Sequence, residues 1–196
     1  MHTPSSTLIA RGAWRPAIVM AAIALLGFGF LYSAAMASLC GLIFPQQSTG
    51  SLLMRDGRPV ASKWVAQPFA DDRYFQSRPS AASYDPMAAA GSNQALTNPD
   101  LIKTINDQID AVAKREGITR AQVPADLATR SGSGLDPHVS PSAAQVQIAR
   151  VAKARGMSIE SVTALVERAI EPRQFGLLGQ PRVNVVELNL ALDAQR

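Results

Sequence analysis

The polar and apolar positions divide the chain into two unlike parts. No charged residue occurs between Arg15 and Arg55, and residues 17–44, AIVMAAIALLGFGFLYSAAMASLCGLIF, are almost wholly apolar. About 20 such residues suffice to cross a hydrocarbon core. Pro16 suits a first helical turn, Pro45 ends the run, and Trp14 suits an interface. The pattern predicts a transmembrane helix over 17–44, after a short segment 1–16. A cleaved signal peptide would have a shorter apolar region than this one, although Ala35-Met36-Ala37 supplies a small-x-small site. Leu39 stands before Cys40 where a lipoprotein site wants a small residue.

From residue 46 onward the pattern changes to that of a small α+β domain. Short extended pieces, SLLM and VASKWVAQPF, are bounded by Gly50, Gly57, Pro59 and Pro68. Residues 69–97 show little periodicity, yet Tyr74, Phe75 and Tyr84 call for burial, so the stretch reads as an ordered coil of the kind that marks a contact surface. Three punctuated helices follow. The first has Asn98 as cap, Pro99 and Asp100 in its first turn, an apolar stripe of Leu101, Ile105, Ile109 and Val112, and Gly117 as stop. The second opens at Ser140-Pro141, turns Val146, Ile148, Val151 and Ala152 inward and stops at Gly156. The third is capped by Ser158, carries Val162, Leu165, Val166 and Ala169, and ends at Pro172. The tail PRVNVVELNLALD predicts a short strand running into a helix.

Charge sets the orientation and limits the function classes. Arg11 and Arg15 lie close to the apolar run with no acid among them, while the far side begins at Arg55, Asp56, Arg58 and Lys63. The expected topology is a cytoplasmic N-terminus with residues 46–196 outside the cytoplasm. The 19 basic and 15 acidic residues are scattered, and aromatics make up 6% of the chain. Nucleic-acid binding wants a clustered basic face with stacking aromatics, so no nucleic acid is expected. One cysteine, Cys40, excludes an internal disulfide and a cysteine-based zinc site.

The densest candidate chemistry is SGSGLDPHVSP, residues 131–141. It lacks the lysine of a P-loop and the spacing of a dinucleotide turn. Gly132 and Gly134 permit positive φ, Ser131 and Ser133 can satisfy the backbone, and Asp136-Pro137 continues the turn. A rigid turn presenting a contact surface is the expected reading, with direct phosphate binding as the alternative. His138 is a possible base or ligand, but His2 lies across the apolar run, so no histidine pair holds a metal. Ser133, His138 and Asp136 sit within six residues on one loop, a poor basis for triad geometry. Asp71-Asp72 and Asp85 read as solvated loop carboxylates. Arg78 reads as a partner for a carboxylate or another anion. No catalytic residue is assigned.

The segments GSNQALTNP, PADLATRSGSGLDPHVSPSAAQVQIARVAKARG and LLGQPRVNVVELNLALD, with YFQSRPSA and the single apolar run, closely resemble the C subunit of the Kdp-type potassium-transporting P-type ATPases. The resemblance runs from about Arg15 to Asp193. Ala89-Ala90 stand where that family usually has a Ser-Gly pair, and Ala169 lies near a frequent histidine, so no role is carried over to those positions. The resemblance implies a non-catalytic subunit of a high-affinity potassium uptake pump in the bacterial inner membrane, its C-terminal domain periplasmic. The implied partners are a channel-like A subunit, an ATP-hydrolysing B subunit, a small F subunit and membrane lipid. It also implies a role in assembly, described as that of a catalytic chaperone raising the B subunit's ATP affinity. ATP and potassium belong to the complex, and no cofactor is assigned to this chain. Candidate subunit-contact residues are the loop Ser131, Gly132, Ser133, Gly134, Asp136 and His138, together with Arg78, Arg182 and Asn184. The alternative class is a membrane-anchored periplasmic enzyme or small-molecule binding module.

Overall fold

The computed structural model describes residues 14–195, so Arg11, His2 and most of the segment 1–16 lie outside the described residues. The chain divides into two compact units, Met1–Ser51 and Leu52–Arg196.

In the first unit α1 (Trp14–Ile43) is one continuous helix of 30 residues with a mean hydropathy of 2.1, long and apolar enough to cross a membrane. Its middle, Ile23–Tyr32, is wound more widely, as π-helix. Phe44 leaves helical geometry at φ −128°, ψ 62°, and Pro45 begins the single turn α2 (Pro45–Ser48). No residue of α1 is buried within the chain.

The second unit is α+β with two small sheets. A hairpin pairs β1 (Leu52–Arg55) with β2 (Arg58–Ser62) through Asp56-Gly57, both at positive φ. Asp-Gly is the pair that a two-residue hairpin turn favours, because its twist matches that of the strands. The second sheet has the order β3-β5-β4, all antiparallel, from β3 (His138–Val139), β4 (Ile170–Glu171) and β5 (Arg182–Asn184). Its register sets His138 opposite Asn184, and both Val139 and Ile170 opposite Val183.

Helices cover this sheet. α3 (Pro99–Glu116) carries the predicted ends: Asn98 accepts from the Asp100 amide, and Gly117 closes it at φ +67°. α4 (Ala125–Ala128) is a single turn before the 131–141 loop. The predicted second helix is two helices, α5 (Pro141–Gln145) and α6 (Ile148–Arg155), capped by Ser140 and closed by Gly156 at φ +65°. The break falls at Val146-Gln147, because fully buried Gln147 is held on both sides by polar partners. α7 (Ile159–Arg168) starts at the Ser158 cap. β5 runs directly into α8 (Val185–Asp193), where the Asn184 side chain accepts from the Val186 and Glu187 amides. The core is Phe75 with Val112, Leu127, Val139, Val151, Val162, Val166, Val183, Leu188 and Leu192.

Phe75 belongs to the long coil, and side chains hold that coil in place of a sheet. The Asn189 amide pairs with both backbone groups of Phe75, accepting at 2.8 Å and donating at 2.9 Å. Gln147 does the same for Gln76, at 2.8 and 3.2 Å. Arg150 donates to the carbonyls of Asp72 and Tyr74, and Arg155 to that of Arg73. Buried backbone groups need partners, and here two amides and two guanidiniums supply them.

Candidate functional site

The 131–134 turn is packed against the chain's own backbone. The Ser131 amide donates to the Pro79 carbonyl at 3.1 Å, and the Ala66 amide donates to the Leu135 carbonyl at 2.8 Å. Ser80 Oγ donates to the Gly134 carbonyl at 2.6 Å. Gly134 is buried at φ +71°, and a Cβ there would meet the Ala82 Cβ at 2.8 Å. Gly132 differs from expectation: its φ is not positive, and a Cβ on it would meet nothing within 4 Å. The close approach comes from the other side, since a Cβ on Gly91 would lie 2.8 Å from the Gly132 carbonyl oxygen.

That packing bears on the phosphate reading. A phosphate cradle needs several free amide N–H groups converging on open space, with a cation close by. Here the Ser131 amide serves Pro79 and the Leu135 amide serves Ser133 Oγ. Residues 131–141 contain no lysine or arginine. The space beside Gly134 is filled by Ala82 and Ala90.

The other half of the loop opens onto a cleft of about 630 Å³, lined by Arg78, Asp126, Asp136, His138, Ser140, Ser142, Gln180 and Arg182 among others. Four residues singled out in the sequence meet here: Arg78, Asp136, His138 and Arg182. Asp136 accepts from the His138 amide and faces His138 Nδ1, both at 3.0 Å, and lies 3.5 Å from Arg78. Burial alone would raise the Asp136 carboxyl. The hydrogen bonds from His138 and the charges of His138 and Arg78 outweigh it and hold the group below the usual carboxylate range. Asp136 is therefore a fixed anion at neutral pH. His138 Nε2 and Arg78 Nε are shut off from solvent and have no hydrogen-bond partner among the described residues.

The remaining residues are placed as follows. Ser133 is exposed, and its Oγ accepts from the Leu135 amide; the structure pairs His138 with Asp136 rather than with Ser133. Arg182 is half-buried and pairs with Glu171 at 2.8 Å. Asn184 does not reach the cleft surface. It is 2% exposed, donates to the Lys63 carbonyl at 2.8 Å and caps α8, so the contact role expected for it gives way to a structural one. Asp71 and Asp85 each accept a backbone amide two residues on, the local turn role of a solvated carboxylate. Ala89 and Ala90 are exposed and Ala169 is half-buried.

Sequence reasoning missed two residues of this region. Asp126, on α4, accepts from the Ser140 amide at 2.6 Å and from its hydroxyl, fixing the start of α5. Trp64 is half exposed beside the cleft, its ring 5.9 Å from that of His138 and beneath Lys63 Nζ. An unpaired tryptophan between charged and small residues, SKWVA, was the available signal.

The model of the family "KdpC: K+-transporting ATPase, c chain" matches residues 14–194. The chain belongs to this family. It is 57% identical to the potassium-transporting ATPase KdpC subunit of Xanthomonas oryzae over 182 residues, 93% of this chain and 87% of that one. The subunit of the same name from Methylococcus capsulatus is 48% identical over 186 residues, 93% and 98% of the two chains. That from Shewanella putrefaciens is 48% identical over 165 residues, 84% and 83%. Both the apolar helix and the α+β unit fall inside the residues that the family model matches.

Proposed function

We propose that this chain is a non-catalytic subunit of a high-affinity, ATP-driven potassium uptake pump, anchored by α1 and needed for the pump to assemble. The observation that carries the reading is its similarity, over both units, to subunits named for a potassium-transporting ATPase. In this reading potassium selection resides in a channel-like A subunit and ATP hydrolysis in a B subunit, with a small F subunit completing the complex. The N-terminus is cytoplasmic, α1 crosses the bacterial inner membrane, and the α+β unit is periplasmic.

The cleft around His138 is the subunit-contact surface. Its rim carries Trp64, Arg78 and Arg182, and tryptophan and arginine are the side chains most often found as anchors at interfaces. Any effect on ATP affinity is then indirect, because ATP lies across the membrane from this surface and the space beside Gly134 is filled by the chain itself. Topology labelling tests this. With Cys40 replaced by serine, Met87→Cys places a thiol at a 92% exposed position. A membrane-impermeant reagent should label it in intact cells. Labelling that requires lysis would reverse the orientation and return a direct ATP contact to consideration.

A further inference from the structure

The β4–β5 connection, residues 172–181, ends in an apolar tip that nothing in the second unit covers. Phe175 is 92% exposed, Leu177 79% and Leu178 61%. The tip is shaped rather than loose. Gln174 and Leu178 exchange two backbone hydrogen bonds of 2.9 Å, and Arg173 donates to Gln180 Oε1 at 2.9 Å below them. Phe175, Gly176 and Gly179 all have positive φ. For a bulky residue such as Phe175 that conformation is strained, and such strain collects at functional positions. A solvent-facing turn gains nothing from holding one phenylalanine and two leucines outward.

The base of this tip carries one cation without an acid partner among the described residues. Arg173 is the one charge within residues 172–181 and pairs with no acid among the described residues, while Arg182 is paired with Glu171 and exposed Arg168 stands beside exposed Glu167. The nearest acid, Glu171, is already paired with Arg182 at 2.8 Å and faces Lys63 at 3.7 Å. An apolar tip above the acid-free Arg173 matches the boundary between acyl chains and anionic headgroups. Taking α1 as a membrane anchor, on which this inference rests, a bilayer is always within tether range, so even weak insertion is populated.

We propose that residues 175–178 form a membrane finger that seats in the interfacial layer of an anionic leaflet, with Arg173 on the headgroups. The test uses the full chain in vesicles of phosphatidylglycerol and phosphatidylcholine, with Cys40→Ser and a polarity-sensitive fluorophore on Leu177→Cys. The same label on Met87→Cys, at a 92% exposed position, serves as the control. The expected result is blue-shifted Leu177 emission quenched by brominated lipid, loss of both with Arg173→Glu or in pure phosphatidylcholine, and a water-like Met87 signal throughout. Flotation of the chain with the vesicles reads the α1 anchor separately. A chain that floats while Leu177 stays water-like in every vesicle overturns the finger alone, and a chain that does not float overturns both readings. If Leu177 leaves water only when other chains of the ATPase are added, a protein socket and not the lipid is its occupant, which also overturns the finger.

Discussion

At Gly134 a methyl group would sit 2.8 Å from the Ala82 Cβ and 2.9 Å from the Ala90 carbonyl oxygen, with φ at +71°. Left-handed geometry costs an alanine roughly 1–2 kcal/mol, and overpacking adds typically about 1–3 kcal/mol. Gly134→Ala should therefore destabilise the chain by about 2–5 kcal/mol in a denaturant melt, while Gly132→Ala, which meets nothing, should stay within about 0.5 kcal/mol. The two glycines look alike in the sequence; what separates them is an approach by residues 82–91, about fifty positions away. Asp193 is the other decisive residue. It accepts from Arg155 at 2.8 Å, Arg55 at 2.9 Å and the Tyr74 hydroxyl at 3.2 Å. Burial works to raise its carboxyl, but those hydrogen bonds outweigh it and the net displacement is downward. A group with a depressed folded value stabilises the fold above its unfolded value, near 3.9, and loses that contribution as pH falls through the folded one. Asp193→Asn should cost about 3 kcal/mol at pH 7, as breaking a buried pair does. The difference in melting temperature from the parent should shrink as pH falls below about 4.

Among the elements, the helix ends were the most legible, because caps and stops are local chemistry. Asn98 and Gly117, Ser140 and Gly156, and Ser158 stand at helix ends, and the tail is a strand leading into a helix. The two extended pieces were readable but not their pairing; Asp56-Gly57 was the local signal for the β1–β2 hairpin. The coil at 72–77 was legible only as ordered. Its partners lie at positions 147, 150, 155 and 189, up to 114 residues away, and no local pattern announces an asparagine that pairs with a distant backbone. The same limit hid the break at Val146-Gln147, whose cause is the coil that Gln147 holds. Asn189→Leu leaves both backbone groups of Phe75 unpaired and should cost about 1–3 kcal/mol for each buried group. Amide exchange should rise first at Phe75 and Gln76, before the α7 amides respond. Uniform acceleration across the whole unit would show that the coil and the helices unfold together.

For the whole molecule, the candidate site was legible as a list of residues but not as a surface. Arg78, Asp136, His138 and Arg182 come from three separate stretches that meet only when β3 pairs with β5. Trp64 joins them through the strand that precedes it, and Asn184 leaves them because it is needed beneath. A cleft lined by two carboxylates and two arginines, with an exposed tryptophan beside it, fits the subunit-contact role proposed for this chain. The most direct measurement is affinity purification of the tagged full chain from mild-detergent membrane extracts of potassium-starved cells. The chain should bring down the ATP-hydrolysing and channel-like subunits in fixed proportion, and replacing Arg78 and Trp64 together by glutamate should release them while α1 keeps the chain in the membrane. A chain that purifies alone, from cells whose pump assembles and hydrolyses ATP without it, would contradict the account.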